Sequence, residues 1–282
     1  MSIDHCVVGH ALTESPNLNY KVDVHSHVVP PIWKEELISE GYPVKNGNLF
    51  TSGFPIPDWK LDSQIKTMDS LGVNYSTISV SAPGAFFLKE ARKAESLARN
   101  IKLLLHNYTQ AYPTRLGALS LFPLPYVDEA VEELKVPSAP ATSPDCTSVA
   151  MGWPIPMTEY PFNTVRAIEN MLLTGQRAQY LDMKMIFSHG GGLAVVESLA
   201  QLAGYHFDTA SSTSAIQLAA PKSFVGADRI VTGTDYKWAM PAAPELAAIE
   251  GNGKFTTVEM AQINNQNALM IFPRIINALK LN

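Results

Sequence analysis

Two histidines separated by one residue, His25 and His27, are the most chemically suggestive feature of this sequence. They lie in an alternating apolar stretch at 20–29 that predicts a β-strand. Side chains two positions apart on a strand point the same way, so Asp23, His25 and His27 are expected on one face. Two imidazoles about 7 Å apart and aimed at one point form half of a metal site. The alternative is a chance pair in a solvated strand, but the apolar flanks suggest burial, where unpaired imidazoles would be costly.

Two further polar residues follow predicted strands. His189 comes directly after the apolar run at 183–188 and precedes three glycines, which let the backbone approach a ligand closely. A histidine at such a turn can act as a general acid or base, or as another metal ligand. Asp235 ends the apolar run at 229–234 and could complete the metal site. The alternatives are a hydrogen-bonded core histidine and an aspartate that caps the next turn.

Strand and helix patterns alternate along the chain, and the strands are mostly apolar throughout, which indicates a parallel sheet covered by helices. Strands are predicted at 20–27, 73–80, 115–122, 183–188, 206–210 and 229–234. Helices are predicted at 32–40, 61–71, 88–112, 127–135, 162–173, 193–202, 215–220, 243–250, 256–270 and 274–280. The polar residues fall at the carboxyl ends of different strands, where a (β/α)8 barrel carries its active site. A doubly wound open sheet is the alternative, but it would not bring the first and last strands together.

Composition limits the classes of function that the chain can have. Its 282 residues are 46% hydrophobic and 17% charged, and the continuous strand–helix rhythm favours one domain at 20–282 after an N-terminal arm at 1–19. The net charge of −5 and the lack of a basic cluster argue against a nucleic-acid partner. No stretch approaches the roughly 18 apolar residues that span a membrane.

The two cysteines, Cys6 and Cys146, are too few for a disulfide framework and indicate a reducing compartment. The first 19 residues lack the basic start and apolar core of a secretory signal. The sequence therefore predicts a cytosolic protein.

Three motifs taken together resemble the amidohydrolase superfamily: DVHSH at 23–27, SHGGG at 188–192 and GTDY at 233–236. The sequence looks most like the branch that contains aminocarboxymuconate semialdehyde decarboxylase and related aromatic-acid decarboxylases. SVSAPG at 79–84, FDTA at 207–210 and GADRI at 226–230 also read like that branch. Among its members, fungal 6-methylsalicylate decarboxylases look most similar.

The resemblance implies a (β/α)8 barrel and one divalent metal, with Zn²⁺ as the first expectation and Mn²⁺ as the second. His25, His27 and Asp235 would bind the metal, and His189 would lie beside it as an acid, base or positioning group. In such decarboxylases the metal orients the substrate carboxylate and its ortho oxygen. An acid then protonates the ring carbon that loses CO₂, and Asp235 is a candidate for this acid because its surroundings tune its pKa.

Aromatic residues are candidates for the walls of the substrate site. The segment at 41–59 is rich in Gly, Pro and Asn and predicts a loop excursion after the first strand. From this loop Phe50 and Trp59, together with Phe86 and Phe87, could contact an aromatic ring. The alternative is an ordinary surface loop. The resemblance implies a small aromatic carboxylic acid as substrate and a homodimer as the assembly.

The sequence departs from the family pattern in one place. The family has a further strand that ends in His-Pro, whose histidine is another metal ligand, yet no histidine occurs between His106 and His189. The stretch TSP at 142–144 looks like the residues that follow that histidine. About one βα unit or more is thus predicted to be missing near residue 136, judged against the eight-unit plan. The metal site would then lack one protein ligand.

The leading hypothesis is a carboxy-lyase that converts a small hydroxylated aromatic acid without oxidation, with 6-methylsalicylate to 3-methylphenol and CO₂ as the expected reaction. A second hypothesis is a hydrolase that opens a lactone or cyclic amide with metal-activated water. A third is a catalytically impaired decarboxylase relative, which the missing histidine favours and the retained His25, His27, His189 and Asp235 oppose.

Overall fold

The computed structural model describes residues 20–134, 155–180, 183–191, 205–212, 214–238, 242–251 and 253–280. The predicted N-terminal arm at 1–19, the altered segment that begins near residue 136, and the helix predicted at 193–202 lie outside the described residues.

All six strands predicted from the sequence are present, and three short strands accompany them. The strands are β1 (Val22–Val28), β2 (Val44–Lys45), β3 (Asn48–Thr51), β4 (Phe54–Pro55), β5 (Tyr75–Val80), β6 (Leu116–Ala118), β7 (Met185–Phe187), β8 (Tyr205–Asp208) and β9 (Ile230–Val231). Parallel pairing gives the orders β1-β5-β6 and β7-β8-β9.

The two parallel sheets meet along β1, which is the first of the described strands. The amide of Val24 donates to the carbonyl of Thr232 at 2.9 Å, and the amide of Asp235 donates to the carbonyl of His25 at 2.9 Å. We call this contact the β1–β9 seam; it makes one run of six parallel strands in the order β6-β5-β1-β9-β8-β7 among the described residues. The first and last strands therefore lie side by side, as the barrel hypothesis required.

Helices fill the intervals between these strands. They are α1 (Pro31–Ser39), α2 (Leu61–Leu71), α3 (Ala91–Ala111), α4 (Val127–Leu134), α5 (Ile155–Leu173), α6 (Gln176–Gln179), α7 (Ala215–Val225), α8 (Ala242–Gly251), α9 (Thr257–Ala261), α10 (Asn267–Ile271) and α11 (Arg274–Leu279), and a π-helical turn at Gln262–Gln266 joins α9 to α10. Over the described ranges, no helix is both long enough and apolar enough to cross a membrane.

The segment at 41–59 was predicted to be a loop, and this prediction is wrong in part. Strands β2, β3 and β4 form a small antiparallel meander there. Its two turns are Asn46-Gly47 and Ser52-Gly53, in which all four residues have positive φ. This is the geometry of two-residue hairpin turns, and an Asn-Gly pair is a strong sequence signal for them. The signal was present, but the apolar alternation on either side is too short to reveal strands.

One apolar cluster packs around β7 and β8, and two others contain residues of β1. In the larger one, Trp33 and Leu37 of α1 pack with Ile78 of β5 and with the buried face of α3. The smaller cluster lies under the β1–β9 seam, where Val22 and Val231 pack against the C-terminal helices. The helical period of apolar residues in α2 and α3 and the alternation in β1 thus place apolar side chains of β1 in both of these clusters.

Candidate metal centre

Strand β1 brings His25 and His27 closer together than a regular strand would. The pairing register of β1 with β5 shifts between Asp23 and Ser26, so β1 carries one extra residue there. Such a bulge bends the strand and redirects side chains. The two Nε2 atoms are 3.0 Å apart, and the rings meet edge to face with centroids 4.8 Å apart. Both imidazoles therefore present Nε2 to the same small volume.

Asp235 and His189 complete the cluster from the other side of the β1–β9 seam. Asp235 Oδ1 lies 3.3 Å from Nε2 of His27 and 3.6 Å from Nε2 of His25. The His189 ring packs edge to face on His25, with centroids 5.3 Å apart. Ligand atoms of His25, His189 and Asp235 all lie within 4.8 Å of one another. The structure thus brings together the four residues predicted from the sequence to bind metal or to catalyse, and their roles stay predictions.

Three residues that follow β7, β8 and β9 share an unusual backbone conformation. The backbone φ values of His189, Ser211 and Asp235 are 59°, 51° and 53°. They lie in the left-handed region that residues other than glycine rarely adopt. Each such residue costs on the order of 1–3 kcal/mol and persists where the surroundings enforce it, commonly at functional sites. The hydroxyl of Ser211 donates to Oδ2 of Asp235 at 2.7 Å, which leaves Oδ1 to face the histidines.

Asp208, at the end of β8, was missed by the sequence reasoning as a site residue. It is buried, and its Oδ2 lies 2.8 Å from Nδ1 of His25. Its Oδ1 accepts hydrogen bonds from the backbone N–H groups of His189 at 2.8 Å and Ala210 at 3.1 Å. A signal existed, because Asp208 lies in the family motif at 207–210 and within a predicted strand at 206–210.

Asp23 lies on the same face of β1 but nearer to the start of the strand. Its carboxylate accepts hydrogen bonds from the amide of Thr234 at 3.0 Å, from the Thr234 hydroxyl at 2.7 Å and from the Ser76 hydroxyl at 3.2 Å. It also accepts one from the amide of His25 at 3.0 Å. Burial raises the pKa of Asp23 to about 6, although these hydrogen bonds oppose the shift. Asp23 therefore joins β1 to β5 and to the segment after β9.

Burial and the neighbouring charges shift the pKa values of the cluster residues in opposite directions. Burial acts to lower the pKa of His25, but the charge and hydrogen bond of Asp208, with Asp235 beyond, raise it to about 9. Burial lowers the pKa of His27 and of His189, so these rings favour the neutral form. Burial acts to raise the pKa of Asp235, but the hydrogen bond from His27 and the charge of His25 hold it well below its usual range.

These residues fit a bound divalent metal. Nδ1 of His25 is occupied by Asp208, and Nδ1 of His27 has no hydrogen-bond partner in the part of the chain that the structure describes. The remaining Nε2 atoms face each other and Oδ1 of Asp235. Two imidazole nitrogens and a carboxylate oxygen are a donor set that Zn²⁺ or Mn²⁺ accepts, with a further position open for water or substrate.

The aromatic residues predicted to bind substrate make the following contacts, and their role stays a prediction. Trp59 packs on Tyr108 with ring centroids 5.5 Å apart and donates to Gln64 at 3.0 Å. Phe50 has the Lys45 ammonium 5.8 Å from its ring centroid. None of these described contacts reaches the four converging residues. The same is true of Phe86 and Phe87, the latter of which packs on Tyr42 with centroids 5.6 Å apart.

A different aromatic pair adjoins the cluster. The amide of Trp238 donates to the carbonyl of Asp235 at 2.8 Å, so this residue is tied to the cluster by the backbone. Its indole N–H donates to the Ser81 hydroxyl at 2.6 Å, and its ring packs edge to face on Phe54 of β4, with centroids 6.3 Å apart. The meander β2–β4 therefore contacts Trp238 through Phe54. No alternation of apolar and polar residues in the sequence distinguishes Phe54 from Phe50.

Gly233, two residues after β9, packs against His25 of β1, and this contact yields a testable prediction. A Cβ added at Gly233 would lie 2.8 Å from Cβ of His25 and 3.3 Å from Cβ of Ala210. We expect Gly233→Ala to push His25 away from Asp235, to cost about 1–3 kcal/mol of stability by overpacking, and to lower the metal content per chain. Elemental analysis and thermal unfolding would measure both effects.

The matched control is Gly251→Ala on α8, because a Cβ added there meets nothing within 4 Å. Equal metal content in the Gly233→Ala variant and the unaltered chain would show that the close approach does not position His25.

Solved structures define the class of protein to which this fold corresponds. With a TM-score of 0.75 and 15% identity, the chain matches 5-carboxyvanillate decarboxylase from Sphingomonas paucimobilis over 90% of its own length and 99% of that chain. It matches 2,6-dihydroxybenzoate decarboxylase from Rhizobium with a TM-score of 0.71 and 17% identity, over 90% and 98% of the two chains. A dihydroxybenzoic acid decarboxylase from Polaromonas, solved with manganese and the inhibitor 2-nitroresorcinol, matches with a TM-score of 0.67 and 16% identity, over 94% and 98%. The chain has the fold of the amidohydrolase-superfamily decarboxylases.

Sequence comparison is more specific. The chain is 24% identical over 335 aligned positions to a 6-methylsalicylic acid decarboxylase of Aspergillus aculeatus, covering 92% of this chain and 97% of the relative. It is 24% identical over 324 positions to the enzyme of that name from Penicillium expansum, covering 90% and 97%. No family model matches the chain. The predicted similarity to fungal 6-methylsalicylate decarboxylases is confirmed.

The alignment also bears on the missing unit. Its 335 positions exceed the 282 residues of this chain, so at least 53 of those positions face a gap in this chain. Together these positions outnumber the roughly 30 residues of one βα unit.

Proposed function

We propose that this protein is a metal-dependent, non-oxidative decarboxylase of a small hydroxylated aromatic acid, with 6-methylsalicylate as substrate and 3-methylphenol and CO₂ as products. The observation that carries the proposal is the convergence of His25, His27, His189 and Asp235 at the carboxyl ends of β1, β7 and β9. The names of the sequence relatives and of the structural neighbours support the same class of reaction.

A bound divalent metal would act as a Lewis acid that polarises the substrate's oxygens. His25, His27 and Asp235 would hold it, and the low pKa of Asp235 favours this ligand role over that of proton donor. When the bond between the ring and the carboxylate breaks, its electron pair stays on the ring carbon, which must take up a proton. His189, buried beside the cluster, is the remaining group that could deliver or direct this proton.

Finer features belong to the same proposal. We expect Zn²⁺, since two histidines and one carboxylate are a common catalytic zinc set, and Mn²⁺ remains the alternative, which two structural neighbours contain. The pairing of β1 with β9 supports a (β/α)8-type barrel, with about one βα unit or more missing beyond β6. A single domain at 20–282, a homodimer and a cytosolic location complete the proposal.

The substrate wall is testable by comparing two pairs of aromatic residues. If Trp238 and Phe54 contact the substrate ring, Trp238→Ala and Phe54→Ala should each raise KM about tenfold. This factor corresponds to the loss of about 1.4 kcal/mol of aromatic contact energy. The sequence instead proposed Phe50, Trp59 and Phe86, whose alanine variants should raise KM if that proposal holds. Steady-state kinetics on all five variants would decide between the two sets.

The deciding experiment combines elemental analysis with product analysis. The purified full-length chain is loaded with Zn²⁺ or Mn²⁺ and incubated with 6-methylsalicylate, and CO₂ and 3-methylphenol are measured. About one metal per chain with CO₂ release supports the proposal. Hydrolysis of a lactone or cyclic amide without CO₂ would support the hydrolase instead. Bound metal without turnover of either kind would point to the impaired relative, which the gap in the alignment makes a specific alternative.

A further inference from the structure

Asp208 touches the cluster from the side of the His25 ring that faces away from His27. We propose that Asp208 is a positioning residue: it fixes the tautomer of His25, so that Nε2 is free to bind a metal, and it holds the backbone of His189 at the same site. This inference rests on the proposed metal centre, but it concerns the binding of the metal and not the reaction.

The side chain of Asp208 can set the tautomer because a carboxylate only accepts hydrogen bonds. With Oδ2 of Asp208 2.8 Å from Nδ1 of His25, the shared hydrogen must be carried by Nδ1. In a neutral imidazole the lone pair then lies on Nε2, which faces His27 and Asp235. Asp208 is only 2% exposed, so water offers little competition for this hydrogen bond.

The other carboxylate oxygen determines how the side chain is oriented. Oδ1 of Asp208 accepts the amide hydrogens of His189 at 2.8 Å and of Ala210 at 3.1 Å. Both of these groups are donors, so a side chain that replaces the carboxylate must also place an acceptor oxygen at this position. His189 has positive φ, so its backbone needs such an anchor, and its ring packs on His25.

Because the two carboxylate oxygens of Asp208 have different partners, Asp208→Asn is an informative substitution, and it barely changes the shape of the side chain. The amide oxygen should face the two backbone donors, which leaves the amide NH₂ to face Nδ1 of His25. A donor there requires the lone pair on Nδ1 and moves the hydrogen to Nε2, where it points at the metal position. Loss of such an outer partner weakens metal binding by about 10–100-fold. We expect the Kd for Zn²⁺ to rise by this factor.

The matched control is Asp228→Asn, because Asp228 is an exposed aspartate outside the cluster whose ion-pair partner is Arg229. The measurement is a competition titration of metal-free full-length protein with Zn²⁺ and a chromophoric chelator, with thermal unfolding of the metal-free protein alongside. A weakened Kd for Asp208→Asn, with the control and the metal-free unfolding midpoint unchanged, supports the inference. An unchanged Kd, or a lowered midpoint without weaker binding, overturns it.

If the variant does not fold, the Zn²⁺-loaded wild-type protein decides by imidazole ¹⁵N NMR. The inference requires a protonated Nδ1 and a metal-bound Nε2 on His25; the reverse assignment, or a wild-type chain that takes up no Zn²⁺, overturns it. The proposed reaction is tested separately. Correct metal binding without CO₂ release would refute the proposed decarboxylase activity and leave the role of Asp208 intact. CO₂ release together with an unchanged Kd in Asp208→Asn would support that activity and refute the role of Asp208.

Discussion

Replacing His27 by alanine is expected to reduce bound metal to a small fraction of one per chain and to lower kcat by at least about 10³-fold, or about 4 kcal/mol of activation free energy. His27 presents Nε2 to the metal position, 3.0 Å from Nε2 of His25 and 3.3 Å from Oδ1 of Asp235. Its Nδ1 makes no hydrogen bond within the described residues. The substitution should therefore remove a ligand while breaking no described hydrogen bond of the ring outside the cluster.

The measurement is metal content by elemental analysis together with steady-state turnover. His106→Ala is the matched control, since His106 is an exposed histidine of α3 whose backbone carbonyl accepts a hydrogen bond from Thr109. The control should keep both metal and activity. Full metal occupancy in His27→Ala would remove His27 from the ligand set, and the proposed centre would have to be redrawn around His25, His189 and Asp235, which also cluster.

Replacing Asp23 by alanine is expected to have the largest effect on stability, lowering the free energy of unfolding by about 3–5 kcal/mol. The buried carboxylate accepts hydrogen bonds from Thr234, Ser76 and the amide of His25. Removing it leaves several buried donors unpaired, each of which costs about 1–3 kcal/mol. The thermal midpoint should fall by roughly 6–20 °C for a chain of this size.

Thermal unfolding followed by circular dichroism on the metal-free protein would measure this loss without interference from metal binding. Asp58→Ala is the control, because the side chain of Asp58 is fully exposed and its ion pair with Lys34 lies on the surface. It should leave the midpoint unchanged. A midpoint for Asp23→Ala that matches the control would mean that the β1–β9 seam does not depend on this carboxylate.

The parallel strands and the four converging residues could be predicted from the sequence because the signals for both are local. Each predicted strand is an apolar run, and each candidate residue follows such a run or lies at its end, so position along the chain also gives position in the fold. Periodicity likewise placed α2 at Leu61–Leu71 without error. The helix α7 extends past Pro221, where the sequence predicted an end, because tertiary packing overrides the local preference of proline.

Contacts between distant parts of the chain could not be predicted in this way. Asp208 and His25 are separated by 183 residues, and no local pattern records that they meet. The same holds for Trp238 and Phe54, whose packing depends on how the β2–β4 meander folds over the end of the sheet. Phe50 pairs with Pro55 and Thr51 pairs with Phe54, so Phe50 and Phe54 lie on opposite faces of the meander, which residue type alone does not reveal.

The β1–β9 seam has a consequence for how the protein is made. Asp23 and Thr234 are separated by 211 residues, so a ribosome adding about 5–20 residues per second places them roughly 10–40 s apart in synthesis. During that time the nascent β1 has no partner on one edge, and the candidate site holds two histidines without their aspartate. A chain terminated before residue 230 would lack β9 and Asp235 together. Metal acquisition at this site must therefore follow translation of nearly the entire chain.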